Sequence, residues 1–517
     1  MANLIETFLN KSDNDTCIYF ENKSFTYEET FLNIKKMKEY FIKLGVTSND
    51  VVTIALPNIP QMVFAIYALD TIGTTINIVH PFTKRVPLFN LMKKVNSKIL
   101  ITSGTKYKQE EFKNIMILVA NPLKFTNNLY KYTYDLKIKK SHCTKLDLYK
   151  NEKPKRIKIH KRKPGEDAIL LSSSGTTGTP KIVRLSIDAL INMAKKLPFI
   201  TYSELSNKAM LAVLPVFHCF GLAMGVVAPL YNHMIVTLMI RFNVKKVTKQ
   251  INKKRINFII GVPRMYEKLF NYHRFKKANL KQLELCFVGG DKITEDFILK
   301  FNNLLNKRYS TAKLLQGYGL TEALVCVVNN KLENKIGSLG KPMKDTEVFI
   351  IDENNNICLP NVVGEIVLKT DSIMNGYYED DENILYNNIK NTIKTGDLGY
   401  IDDQGFLFYK ERKKRLFKIS GVNVFPNEVE EIVRELPDIN DAAVVFSATP
   451  KAHTILFITL VKSAKTGKIV KKINNYLELR LIRYSLPKEI RIIKSMPKTA
   501  LGKINYLELE NKLKNNL

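Results

Sequence analysis

Cysteine is scarce in this chain. The six among 517 residues, Cys17, Cys143, Cys219, Cys286, Cys326 and Cys358, are widely spaced and never form a C-x-x-C pair. Neither a zinc site nor a disulfide framework is indicated, and a reducing compartment fits. The first residues, MANLIETFLNKSDNDT, lack the basic start and apolar core of a secretory signal, and NKLKNNL at the other end lacks a lipidation or peroxisomal signature. The expected location is therefore cytoplasmic.

Acidic residues are also short, 49 against 80 lysines and arginines, giving a formal charge of +31. Such a charge suits a polyanion: nucleic acid, an anionic membrane or a phosphate-rich substrate. The lysines are spread over the whole chain, the pattern of a solvated surface. One cluster, YKNEKPKRIKIHKRKPGED (Tyr149 to Asp167), carries eight basic residues from Lys150 to Lys163. It has no interleaved aromatics to stack on bases, so it reads as a basic linker and no nucleic-acid partner is expected. A peripheral membrane contact stays open.

The uncharged stretch Ala209 to Ile240 is long enough to span a bilayer. Pro215, Pro229 and Tyr231-Asn232-His233 divide it into pieces suited to a buried core, which can also line an apolar pocket.

An apolar share of 45% with 10% aromatics marks a globular chain, long enough for two or more domains. Strand-like runs (VVTIAL, KILITS, AILLSS, INFIIG, LELCFVGG) alternate with helical ones such as Tyr27 to Leu44 and Gln61 to Ile72, which predicts α/β layering. Strands dominate from Val348 until the charge run KERKKR, Lys410 to Arg415. Beyond it, a helix from Pro426, strands at Ala442 to Phe446 and Ile455 to Val461, a helix near Ile469 to Leu481 and a strand from Glu489 predict a small α+β domain. The expected division is 1–411 and 412–517.

The chemistry starts at LLSSSGTTGTPKIVRLS, Leu170 to Ser186. Glycines let successive N–H groups face one anion, hydroxyls donate further bonds, and Lys181 adds charge. A Walker A loop is excluded, because Pro180 precedes the lysine and Ile182 follows it. Four more segments follow in order: QGYGLTEA (Gln316 to Ala323), KTGDLGYIDDQGFL (Lys394 to Leu407), KERKKRLFKISGVNVFPNEVE (Lys410 to Glu430) and MPKTALGKI (Met496 to Ile504).

Together these five resemble the motif set of the adenylate-forming superfamily, which includes acyl- and aryl-CoA synthetases such as 4-coumarate-CoA ligases, luciferases and peptide-synthetase adenylation domains. The likeness runs from about Phe25 to Ile504. It implies a large multi-layer α/β N-terminal domain with a small mobile α+β C-terminal domain. It further implies that a carboxylic acid is joined to AMP from ATP with Mg2+ and then passed to a thiol, CoA first, a carrier-protein phosphopantetheine arm as the alternative. A non-catalytic basic homologue that binds a membrane or nucleic acid is the rival from another class.

Carried over residue by residue, Ser173, Ser174, Gly175, Thr176, Thr177, Gly178 and Lys181 are implied to cover the ATP phosphates. Gly289 and Gly290, with Gly317, Tyr318 and Gly319, are implied around adenine. Thr321 is implied as a phosphate contact and Glu322 as a Mg2+ ligand; a carboxylate among phosphates makes sense only with a cation between them. Asp397 and Arg412 are implied on the ribose, and Lys503 as the adenylation lysine between carboxylate and α-phosphate. Lys418 and Gly421 are implied to face the thiol half-reaction, Lys414 to be the hinge, and His218 to border the acyl pocket. Phe217, Phe220, Leu222, Met224, Leu324, Val325 and Val327 predict an uncharged, apolar tail on the substrate, a fatty acid before an aryl acid. Four departures stand out: Ile182 for a usual glycine, Ser186 for a common histidine, Asp291-Lys292 for Ala-Pro, and Arg415 for an acid beside the hinge.

Overall fold

The run PQMVFAIYALDTI is apolar on every side, so it must be enclosed on every side. It forms the helix Pro60–Ile72, buried along its whole length, with Pro60 in the first turn and Gly73 at φ 93° ending it. At its end Asp70 is paired at 3.2 Å with the buried Arg162, whose guanidinium also donates to the Thr74 carbonyl at 2.7 Å. In this computed structural model, residues 3–8, 14–105, 107, 109–112, 114–146, 158–173, 181–378, 389–419, 422–447, 453–461, 464, 466–481, 483–499 and 503–514 are described.

The chain divides into two compact units. The first holds Met1–Ser173, Lys181–Glu347 and Lys369–Thr392; the second is built chiefly from Val348–Leu368 and Ile393–Leu517. Two large sheets form the first. One has the strand order Gly376–Tyr377, Ile182–Ser186, Asp167–Ser172, Thr75–Ile78, Val51–Ala55, Ile99–Thr102, Met116–Val119 and Thr144–Lys145. It is parallel from Asp167–Ser172 onward. The other is parallel from Leu314–Leu320 through Leu285–Val288, Phe258–Gly261, Ala209–Ala212 and Ile235–Leu238 to Thr16–Phe20. Continuous apolar strands such as ILIT and FIIG are what parallel sheets covered on both faces require.

The stretch Ala209 to Ile240 is buried core, as its prolines predict: strand Ala209–Ala212, a helical run from Cys219 to Tyr231, and strand Ile235–Leu238. No described helix is long and apolar enough to cross a membrane.

The second unit carries the sheet Thr346–Ile351, Gly364–Thr370, Thr392–Ile401 and Leu407–Arg412. It continues into a three-stranded sheet of Ile439–Ser447, His453–Leu460 and Glu489–Ile492 with helices Pro426–Arg434, Ile469–Glu478 and Tyr506–Lys514. Val433, Leu456, Ile473 and Leu477 fill one side of that sheet, and Val445, Phe457, Leu509 and Leu513 the other. The architecture is the mixed α/β fold with a larger N-terminal and a smaller C-terminal part that the sequence predicts.

Candidate active site

Strands Asp167–Ser172 and Ile182–Ser186 pair antiparallel, and the Ser173 N–H donates to the Lys181 carbonyl at 2.7 Å, closing the base of the Ser/Thr/Gly loop. Ser174, Gly175, Thr176, Thr177 and Gly178 lie outside the described residues. Two departures at this hairpin acquire physical reasons. Ile182 is buried against Val95 and Leu170, so its side chain is core. Ser186 caps helix Ile187–Thr201, its side-chain oxygen accepting from the Ala189 N–H at 3.1 Å, a job serine does better than histidine.

Thr321 and Glu322 occupy the tight turn between strands Leu314–Leu320 and Leu324–Val328. The turn is strained: Leu324 sits at φ 55°, a left-handed conformation rare for a bulky residue. Gly319 is obligatory there, because a Cβ would stand 1.9 Å from the Leu324 carbonyl oxygen. Gly289, just past strand Leu285–Val288, lies beside Gly317 and Phe220, with room for a Cβ only 3.3 Å from the Gly317 carbonyl. These glycines and the half-buried Tyr318 thus share one end of the sheet, outside the carboxyl ends of parallel strands, where open α/β sheets bind ligands.

Glu322 and Lys181 converge on one side chain. The Tyr377 hydroxyl donates to Oε1 of Glu322 at 3.0 Å, and the Lys181 ammonium lies 4.6 Å from the centroid of the Tyr377 ring. Among the described residues no group of three or more His, Cys, Asp or Glu could hold a metal ion. A lone carboxylate of this kind suits Mg2+, which keeps waters and takes phosphate oxygens as its other ligands.

His218 stands at the N-terminus of the helical run, its N–H donating to the Pro215 carbonyl at 3.1 Å. Its ring is 4.8 Å from that of Phe217, which in turn lies 4.5 Å from the ring of His80. Burial holds the His80 pKa below its ordinary value. The helix opens into a π-turn at Ala223–Val227, a feature frequent at functional sites. Of the expected pocket residues, Leu222, Met224, Leu324 and Val327 are fully buried, while Phe217, Phe220 and Val325 are half-buried.

In the second unit Asp397 and Arg412 are cross-strand partners, the guanidinium Nε 2.9 Å from Oδ1 of the buried carboxylate. A second guanidinium nitrogen donates to the Thr395 carbonyl at 3.1 Å. Lys414 is exposed in the turn Lys413–Arg415. Lys418 lies in strand Phe417–Ile419, and Gly421 falls outside the described residues. Lys503 is exposed, its carbonyl accepting from the Thr499 N–H at 2.7 Å.

AMP-binding enzymes match residues 5–378, and the AMP-binding enzyme C-terminal domain matches 428–503. The chain belongs to the AMP-binding enzyme family. Within it, the chain is 27% identical over 513 residues to a long-chain-fatty-acid–CoA ligase of Bacillus subtilis (strain 168), covering 95% of this chain and 90% of the relative. It is 26% identical over 510 residues to 4-coumarate-CoA ligase 1 of Narcissus pseudonarcissus, covering 96% and 90%. The o-succinylbenzoate CoA synthetase of Bacillus subtilis, solved with its acyl-adenylate intermediate, superposes at a TM-score of 0.82 over 99% of this chain and 98% of that one, at 23% identity.

Seen as an AMP-binding enzyme, the chain corrects one sequence expectation. Arg162 is not linker charge: it is a buried structural cation between Asp70, Glu166 and Thr74. The sequence also gave no sign of Tyr377 or of His80. Only the long-range pairing of Gly376–Tyr377 with Ile182–Ser186 brings the tyrosine to Glu322.

Proposed function

We propose that this AMP-binding enzyme activates a carboxylic acid as its acyl-adenylate and then passes the acyl group to the thiol of CoA. The carboxylate oxygen attacks the α-phosphorus of ATP, the α–β anhydride bond breaks, and pyrophosphate leaves. The CoA sulfur then attacks the acyl carbon, and AMP departs with the electrons of the acyl–oxygen bond. The observation that carries the reading is the match of both halves of the family, together with Glu322 and Lys181 held on one tyrosine.

In this reading Lys181 and the loop before it hold the leaving pyrophosphate, and Thr321 donates to phosphate. Glu322 would hold Mg2+, which would supply positive charge against the phosphates. Gly289, Gly290, Gly317 and Gly319 leave room beside Tyr318 for adenine, and Asp397 accepts the ribose hydroxyls, as two carboxylate oxygens can. Lys503 offsets the repulsion between carboxylate and α-phosphate as charge builds in the transition state. Lys418 and Gly421 serve the thiol step, Lys414 is the hinge, and the C-terminal domain begins at 412. A cytoplasmic location belongs to the same reading, supported by six cysteines of which none forms a disulfide.

The acid is a medium or long fatty acid, because five of the seven expected pocket residues, Leu222, Met224, Leu324, Val325 and Val327, are non-aromatic. The test is incubation with ATP, Mg2+ and a panel of fatty and aryl acids, with CoA or a carrier protein as acceptor and mass spectrometry of the product. Acyl-CoA from an aliphatic acid is expected; thioester only on the carrier protein, or only from aryl acids, overturns the acceptor or the acid respectively.

A further inference from the structure

Helix Arg85–Lys94 joins strand Thr75–Ile78 to Ile99–Thr102, and helix Tyr130–Lys140 joins Met116–Val119 to Thr144–Lys145. Both connections step the same way along their parallel sheet, whereas helix Pro60–Ile72 steps the other way, from Val51–Ala55 to Thr75–Ile78. Right-handed crossovers therefore put the first two helices together on one face of the sheet and Pro60–Ile72 on the other. The packing agrees: Phe112 stacks on Phe89 at 4.3 Å and packs, with Tyr134, onto the core of Ile117, Val119 and Ile138.

These two helices and the loops that enter them leave large apolar and aromatic side chains in solvent. Phe82, Val86, Leu129, Tyr130, Tyr132 and Leu136 are each at least 60% exposed. A contiguous exposed group of this kind marks a surface that meets a partner. The charge around it has one sign. Residues 71–146 carry fourteen lysines and arginines against three acids, Glu110, Glu111 and Asp135. Asp135 is taken up by Lys145 and by the Asn121 amide, both at 2.8 Å, and Glu110 lies 3.8 Å from His142. Lys84, Lys137, Lys139 and Lys140 are exposed in the same two segments as the apolar side chains.

We propose that this face docks on an anionic phospholipid membrane, its aromatic and aliphatic side chains entering the headgroup layer and its lysines meeting lipid phosphate. Nucleic acid also attracts lysine, but Val86, Leu129 and Leu136 have no π-face to stack on a base and gain only from leaving water. The face adjoins the acyl side of the site. The Phe82 ring lies 5.7 Å from that of His80, His80 lies 4.5 Å from Phe217, and Phe217 lies 4.8 Å from His218. Docking thus brings the His218 region toward the layer in which a long-chain acid dissolves. That consequence rests on the fatty-acid reading; the docking itself does not.

The test is co-sedimentation of the full chain with vesicles of equal parts phosphatidylcholine and phosphatidylglycerol, and of phosphatidylcholine alone, without ATP or acid. Wild type sediments with the mixed vesicles, less so as salt is raised, and far more weakly with phosphatidylcholine alone. Lys137→Gln, Lys139→Gln and Lys140→Gln together weaken binding about 100-fold, the scale of three lysines at an anionic surface. Phe82→Ser with Leu136→Ser weakens it roughly ten-fold, and this loss persists at high salt. Both variants keep the wild-type melting temperature, since the substituted side chains are exposed. Wild type that stays in the supernatant, or either variant sedimenting like wild type, overturns the proposal. So does binding of a fluorescent single-stranded DNA without binding of vesicles, which assigns the face to nucleic acid. Acyl-CoA formation from an acid supplied without vesicles is expected to be equal in wild type and both variants, and so separates a failure of docking from a failure of the proposed function.

Discussion

The guanidinium of Arg415 donates to Oε1 of Glu430 across 2.7 Å, and its Cζ lies 3.7 Å above the centre of the Tyr506 ring. Burial works against this charge, yet Glu430 and Glu411 on either side hold the guanidinium pKa above its ordinary value. One arginine thus joins the strand Leu407–Arg412, the helix Pro426–Arg434 and the last helix, Tyr506–Lys514. An acid at 415, the type the motif comparison leads one to expect, would stand among two buried carboxylates here. Arg415→Glu should cost the second unit about 3–5 kcal/mol, as breaking a buried pair does. Arg415→Lys should recover only part, lacking the planar fork that stacks on tyrosine. Hydrogen exchange of Tyr506–Lys514 reads this; wild-type protection in Arg415→Glu contradicts it.

Glu411 accepts from the N–H groups of Arg412 and Asn427, both at 2.8 Å, and from the Asn427 side-chain amide at 2.6 Å. Burial pushes its carboxyl up to about 6, against the pull of Arg415 and these donors. The folded value lies above the ordinary one of 4.5, so the folded chain keeps this proton longer than the unfolded chain. Its contribution is fully present below pH 4.5 and is lost as pH rises through 6, about 2 kcal/mol in all. Glu411→Gln should flatten that slope, while lowering stability throughout because an amide nitrogen then faces N–H donors. Urea midpoints from pH 4 to 7 measure both effects, and an unchanged slope refutes the first.

Gly319→Ala places a methyl group against the Leu324 carbonyl, so the turn bearing Thr321 and Glu322 must move. A displacement near 1 Å in a catalytic turn costs about 100-fold in rate. The variant should bind nucleotide poorly and turn over about 100-fold more slowly while circular dichroism stays near wild type. Full activity would mean that the turn tolerates the shift and that its strain has no role.

Much of the fold was legible because its strands are continuous apolar runs and the helix from Pro426 opens on a proline. Parallel pairing order was not legible, since equally apolar runs such as ILIT and FIIG fit any position in a buried sheet. The glycines at the end of the sheet, Gly289, Gly317 and Gly319, were legible through their motif. The role of Arg162 was hidden, because a charge run looks solvated until Asp70, 92 positions away, is found beside it. Tyr377 was hidden for a similar reason: its partners at 181 and 322 meet it only through the long-range strand pairing at the sheet edge.

Carboxylate-dependent exchange of pyrophosphate into ATP isolates the first half-reaction from any acceptor, and so tests the central claim most directly. Over a panel of fatty, aryl and amino acids, exchange is expected with an aliphatic acid and is expected to fall at least 100-fold in Lys503→Ala, the scale seen when a charge-stabilising donor is removed. No exchange with any acid, or exchange undiminished in Lys503→Ala, would contradict it.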